Sequence, residues 1–417
     1  MSPPNARLVG WAALRRIAGE PRYCAYMLAA TVSMTGQWMQ RIAIGWLLWE
    51  RTESGAWLGA LAIASLAPGL LFGPLGGVLS DRTERRRLVL AGESMLLVLS
   101  LVLWATVAAG GDHPLALLVL VGLAGAVSAL QEAARSILVR DVTPPNCLAT
   151  GMSLNAVAVN VTRFLGPAFA GPLIAAAGPL PVFWINAAGS LVFVLALLVL
   201  RGLGAARPIA SGKGSGVWSG FRIAGAHPVI TPVLIGFAVS SLLVRPFYEL
   251  IPAFAEHALH GGVETFSQLV MAIGVGAMVG GVALGLAAPR NPARSFFVAS
   301  LGACGAVSLL PLTSSVSAAL GPAALMGFCM GVNAMSSQLV VVAHAPDFAS
   351  GRLLSVWGTI IRGGPAFGAL GLGLAFDAFG YRWPVWAGAT ATAATLLIVG
   401  VSLRRRSLPS DGLSAAE

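Results

Sequence analysis

The chain has 417 residues, 57% of them hydrophobic and only 10% charged, and its mean hydropathy is +0.82. Soluble domains carry about a quarter charged residues, so a soluble globular fold is excluded. The net charge of +10 does not indicate a nucleic-acid binder either, because the basic residues are dispersed among loops between apolar stretches instead of gathered on one solvated face. The four cysteines, Cys24, Cys147, Cys304 and Cys329, have no disulfide or metal-ligand spacing and read as packing residues.

The first 21 residues scatter Arg7, Arg15 and Arg16 among apolar positions, which is not the compact apolar core of a cleavable signal. Leu8 to Ile17 instead reads as a short amphipathic helix lying on the inner membrane face. Crossing a bilayer takes about 20 mostly apolar residues. Twelve such segments follow, centred near residues 36, 68, 99, 126, 163, 191, 239, 276, 305, 330, 365 and 393, which predicts an all-α membrane protein of twelve spans.

An even number of spans puts both termini on one side. If that side is cytoplasmic, 20 of the 26 basic residues fall there and only Arg51 and Arg382 fall outside. The polar stretch 201–227 contains Ser211-Gly212-Lys213-Gly214, which lacks the spacing of a phosphate-binding loop. It reads as a flexible linker. The predicted organisation is a cytoplasmic segment 1–21, a six-helix half 22–200, the linker 201–227, a second six-helix half 228–403 and a cytoplasmic tail 404–417.

The two halves are related in sequence. Gly166-Pro167-Ala168-Phe169 in span 5 recurs 198 residues later as Gly364-Pro365-Ala366-Phe367 in span 11, each after an arginine inside a span. At an offset near 208, Gly73 and Gly77 meet Gly281 and Gly285, Arg82 and Arg86 meet Arg290 and Arg294, and Asp81 meets Pro289. Prolines at 167 and 365 free a backbone carbonyl and permit a bend.

Between spans 2 and 3 runs Gly73 to Arg87, GPLGGVLSDRTERRR. Gly73, Gly76 and Gly77 allow close helix approach, Asp81 can accept hydrogen bonds at the membrane boundary, and Arg82, Arg85, Arg86 and Arg87 mark the cytoplasmic side. This segment resembles the loop between helices 2 and 3 of the major facilitator superfamily, with Glu84 where that pattern has glycine. The resemblance implies two pseudo-symmetric six-helix bundles, a parallel repeat about an axis along the membrane normal, and a gating role for Gly73, Gly77, Asp81, Arg82, Arg85 and Arg86. A helix start favours an anion, so Asp81 is expected to stabilise the outward-facing state by sitting near the start of span 11, around Gly351 to Ser355.

Ionisable groups at membrane depth are costly and therefore functional candidates. Glu249 in span 7 follows Arg245 by four residues and, at the 208 offset, corresponds to Arg41, while Arg245 corresponds to Gln37. Two pairings stay open: Arg41 with Glu249 across the halves, or Arg245 with Glu249 on one helical face. Arg163 and Arg362 precede the Gly-Pro motifs and could bind an anionic substrate or loosened backbone carbonyls. Glu132 in span 4 is a further coupling or cavity candidate, its alternative being an interfacial ion-pair network with Arg135, Arg140 and Asp141 close to the cytoplasmic surface, and Glu93 in span 3 reads as shallow, pairing with loop arginines. Trp38, Trp46, Trp49, Trp57, Trp383 and Trp386 read as an interfacial belt, with Trp38 deeper.

The run Gly36-Gln37-Trp38-Met39-Gln40-Arg41, the gate loop and the Gly166-Pro167 motif with Gly171 resemble the enterobactin-exporter-like and drug-efflux branch of the superfamily. That resemblance implies a monomeric secondary transporter of the bacterial inner membrane, exporting small organic or amphipathic compounds on a proton or other ion gradient, with no cofactor, metal or nucleic acid. An importer, a membrane sensor or scaffold, and a membrane enzyme are the rival classes. No nucleophile-base or metal cluster in the sequence supports the last.

Overall fold

The computed structural model describes residues 11–111, 113–200, 217–287, 289, 291–346 and 349–407. Most of the expected linker with Ser211 to Gly214, Arg290 of the second gate-loop copy, the first ten residues and the last ten lie outside these. No strand occurs among the described residues.

Spans 1 to 6 are Pro21–Thr52, Gly55–Arg82, Arg85–Ala108, Pro114–Val142, Pro145–Ala177 and Leu180–Val199. Spans 7 to 12 are Ile230–Leu259, Val263–Ala287, Pro292–Leu312, Val316–His344, Ser350–Phe379 and Arg382–Leu403. Several open on proline at the first helical position, where its missing N–H costs nothing. Gly178 and Gly380, at φ +73° and +72°, end spans 5 and 11.

Eleven of the twelve are apolar enough to cross a bilayer. Span 1, at 32 residues, has the length, but Gln37, Gln40 and Arg41 make its middle too polar. A polar stretch there is stable only because it faces the protein interior.

The packing repeats with the sequence. Spans 1 and 6, 1 and 5, 2 and 4, 3 and 4, and 3 and 6 pack together in the first half, and each pairing recurs six spans later in the second. Two contacts dominate between the halves, span 2 with span 11 and span 5 with span 8, and they exchange under the same operation. Both are made at the membrane face opposite the basic loops. There Gly55 lies against Gly373, and Gly59 against Ala369 and Leu370, so closely that a Cβ on either glycine would overlap backbone atoms. With little hydrophobic drive between helices in lipid, such close backbone approach supplies the packing energy.

Several expectations are corrected. The one-face Arg245–Glu249 pair does not form, because span 7 breaks into a 3-10 turn, Arg245–Leu250, between the helices Ile230–Leu243 and Ile251–Leu259. Three residues per turn place positions four apart on different faces. The linker carries a helix, Val217–Ala226, that packs on the start of span 11 at Arg352 and Val356. Span 12 continues as helix to Ser407. The amphipathic helix is observed as Trp11–Ala18. Trp49 is no belt residue: it is 1% exposed, and its indole N–H donates to Glu256 of span 7.

Candidate functional site: a central cavity closed at one face

A cavity of about 530 Å³ lies between the halves. Its wall runs from Gly45 and Phe266, near the closed face, to Val139 and Asn155, toward the face that carries the basic loops. Spans 1, 2, 4, 7, 8 and 11 all contribute, so each half supplies part of the wall.

At the closed end Arg41 donates through one nitrogen to both carboxylate oxygens of Glu249, at 2.6 and 2.7 Å. The 3-10 turn brings Glu249 here, turning the carboxylate away from Arg245 and toward span 1. Trp38 lies between two cations, with the guanidinium carbon of Arg41 5.6 Å from its ring and that of Arg163 5.5 Å away. Both distances are within cation–π range. Tyr248 completes the cluster, and Arg245 lies within electrostatic reach of Arg163, Glu249 and Tyr248.

Nearer the basic face a second ion pair crosses the halves with the charges exchanged. Arg362 of span 11 donates to both oxygens of Glu132 in span 4, at 2.9 and 3.0 Å. Glu132 is therefore not part of a shallow interfacial network. Glu93, also expected to be shallow, is fully buried; it accepts from Ser33, Gln131 and Arg135, each at 3.1 Å, and makes no pair with the loop arginines. Gln37 extends this chain to the cavity by donating to Ser33 at 3.3 Å. The side-chain nitrogen of Asn186 donates to Gln40 at 2.7 Å and to Ser100 at 3.2 Å, joining spans 1, 3 and 6.

The Gly-Pro motifs pack against the cavity helices. Gly166 lies under Trp38 of span 1, and Gly364 under Ser241 of span 7; in each case a Cβ would collide. Pro167 and Pro365 are buried inside helices that stay continuous.

The loop between spans 2 and 3 is anchored within its own half. Arg85 pairs with Asp141 at 3.7 Å, Arg86 donates to the last carbonyls of span 6, at Leu197 and Leu198, and Arg87 pairs with Glu84. Gly76 packs tightly on the carbonyls of Ala129 and Leu130, whereas Gly73 and Gly77 have open space where a Cβ would stand. The expected close approach at all three glycines holds here for Gly76 alone. Arg82 is exposed, and Asp81 makes no hydrogen bond or ion pair among the described residues. In span 11, Gly351 in the first turn and Gly358 two turns on are open in the same way.

The opposite face is held shut by a group that the sequence reading missed. Asp377, late in span 11, accepts from the hydroxyl of Ser54 at 2.7 Å and from the backbone N–H groups of Gly55 and Ala56 at 2.7 and 3.0 Å. These are the orphan donors of the first turn of span 2, where an anion is favoured. The signal was available, because Asp377 stands near the end of span 11 as Asp81 stands near the end of span 2.

A cavity shared by two equivalent bundles, sealed at one face by glycine packing and breakable polar contacts, can pass a solute by exposing one face at a time. The family profile described as transmembrane secretion effector matches residues 10–415. The chain belongs to this family of the major facilitator superfamily. It is a membrane transporter. Among its relatives, the enterobactin exporter EntS of Shigella boydii serotype 4 (strain Sb227) is 26% identical over 396 residues, 92% of this chain and 91% of that protein. The multidrug efflux pump Tap of Mycobacterium tuberculosis (strain ATCC 25618 / H37Rv) is 26% identical over 408 residues, 92% of each. Solved structures share the fold: a bacterial homologue of the human lysosomal transporter Spinster, inward-facing and unoccupied, at TM-score 0.67 and 18% identity, covers 92% of this chain and 97% of that one. The nucleoside transporter NupG, at 0.73 and 11%, covers 92% and 99%.

Proposed function

We propose that the chain is a proton-driven exporter of small amphipathic organic compounds, with Glu249 as its coupling carboxylate. The observation that carries this reading is the Arg41–Glu249 pair, an ion pair between the halves at the closed end of the cavity. Burial favours the protonated carboxyl and a nearby arginine favours the carboxylate. When the halves separate at this level Glu249 loses Arg41 as its counter-charge and is exposed to the face that has just opened, where a proton can take the arginine's place.

With the basic loops in the cytoplasm of a bacterial inner membrane, the opened face is the external one, where a respiring cell supplies protons. The structure then represents the inward-facing state. The named activities of EntS and Tap as exporters support the direction, and the mixed apolar and polar wall supports an amphipathic solute.

The test is transport by purified protein, acting as a monomer, in proteoliposomes with an imposed pH gradient. Dye should move against the proton flow, and Glu249→Gln should abolish the dependence on the gradient. Transport of equal rate in the variant, with the same pH profile, would remove Glu249 from the coupling role.

A further inference from the structure

Glu93 of span 3 is fully buried and is not itself on the cavity wall, yet three side chains that are on the wall converge on this one carboxylate. Gln131 and Arg135 of span 4 donate to one of its oxygens and Ser33 to the other, each at 3.1 Å, and Gln37 reaches it through Ser33. The donors are held from behind as well. A Cβ on Gly92 would collide with the Gln131 amide, and the guanidinium carbon of Arg135 lies 4.9 Å from the Phe193 ring while Arg135 also donates to the carbonyl of Ala30.

The second half does without these charges. Counted from their helix starts, Ser300 and Asn333 hold the places in spans 9 and 10 that Glu93 and Gln131 hold in spans 3 and 4, and Asn333 donates to Ser300. By the same count Ser337 stands where Arg135 does. None of these three residues is on the cavity wall. An uncharged pair therefore suffices to join two such helices at this place, whereas burying an ion pair there is costly. The first half bears that cost where its side chains reach the cavity.

We infer that Glu93 is a positioning residue for the solute: it fixes Gln37, Gln131 and Arg135 on the wall and occupies the charge of Arg135, so that this side of the cavity offers neutral hydrogen-bonding groups. The solute class that follows is a compound carrying an amide or hydroxyl on an apolar body. The apolar body lies against Leu61, Leu66, Leu96 and Leu99 of the same wall. This narrows the amphipathic solute proposed above and rests on that part of the reading, not on the coupling role of Glu249.

Equilibrium dialysis of full-length protein in nanodiscs against 1-naphthamide and 1-naphthoate, which share one ring system, reads the site without requiring transport. Glu93→Gln leaves Arg135 without its counter-charge, and the naphthoate-to-naphthamide affinity ratio is expected to rise about tenfold. Adding Arg135→Gln should return the ratio to the wild-type value. The triple variant Glu93→Ser, Gln131→Asn, Arg135→Ser gives the first half the residues of the second; it should fold and lose about tenfold in naphthamide affinity. A wild-type ratio in folded Glu93→Gln, a raised ratio that survives Arg135→Gln, or a folded triple variant with full naphthamide affinity would each overturn the inference. So would a triple variant that fails to fold, which would make the charges a packing requirement, and so would the absence of naphthamide binding to wild-type protein at millimolar concentration. Naphthamide that binds with the expected responses but does not cross a proteoliposome membrane would overturn the export reading and leave the role of Glu93 standing.

Discussion

Asp377 and Gly55, 322 residues apart, are joined by a 2.7 Å hydrogen bond that ties the last turns of span 11 to the first turn of span 2. The same carboxylate takes the N–H of Ala56 and the hydroxyl of Ser54, so one exposed acid satisfies three donors of a helix start in the other half. An anion at a helix N-terminus is worth about 1 kcal/mol, and up to about 2 in favourable geometry. In a two-state transporter that energy is a bias between states rather than a contribution to folding.

Asp377→Asn is therefore expected to shift the conformational equilibrium away from the arrangement seen here by about fivefold, the equivalent of roughly 1 kcal/mol. Spin labels at Leu115 and Leu312, both exposed near the closed face and in different halves, would report it. A longer-distance population should grow in the variant. Unchanged distance distributions would show the cap to be energetically idle.

The glycine seam beside it gives a steric counterpart. A side chain on Gly59 would meet the backbone of Ala369 and Leu370, which cannot yield as a flexible side chain does. Gly59→Val is expected to prevent full closure and hold this face open. Overpacking of this kind costs about 1 to 3 kcal/mol, so thermal stability should fall while labelling of Ser54→Cys by an impermeant maleimide rises. Retained closure with normal transport would mean that the helices can separate here without penalty.

The exchanged polarity of the two cross-half pairs makes a reciprocal test possible. Glu132→Arg alone leaves Arg362 facing a like charge and should reduce transport strongly. Combined with Arg362→Glu it should recover, because only the direction of the pair has been reversed. Failure of the double variant to improve on the single would mean that one of these side chains contacts the substrate directly.

Hydropathy, the dispersed arginines and the Gly-Pro repeat made the fold legible, because lipid imposes length and polarity on every span independently of its neighbours. The juxtaposition of Arg41 and Glu249 was legible as well, as one of two open pairings, since the repeat offset aligned the positions. The choice between them was not, because it depended on a local switch from α-helix to 3-10 turn over Arg245–Leu250. Glu93 was misread for a related reason. Its depth follows from where Ser33, Gln131 and Arg135 point, and those directions depend on the rotation of three separate spans about their axes. Periodicity does not report relative rotation. Trp49 looked like a membrane-interface residue on sequence position alone, and only the closure of span 1 against span 7 buries it.

Asp81 supplies the last prediction, because its situation is the converse of Asp377's. It ends span 2 as Asp377 ends span 11, and the helix start of the other half on its face is that of span 11, where Gly351 has open space beside it in this state. When the basic-loop face closes, Asp81 is expected to accept from the first-turn N–H groups of span 11, around Gly351, as Asp377 now accepts from Gly55 and Ala56. The two carboxylates would then stabilise opposite states, and their substitutions should have opposite signs. Asp81→Asn should enrich the conformation described here and slow transport at normal membrane abundance, with the Leu115–Leu312 distance distribution narrowing toward its short component. The Asp81→Asn, Asp377→Asn double variant should return the distribution toward that of the wild type, because each change removes a bias of similar size. If Asp81→Asn instead lengthens that distance, or if the double variant merely repeats the Asp377→Asn result, Asp81 has no part in setting the balance.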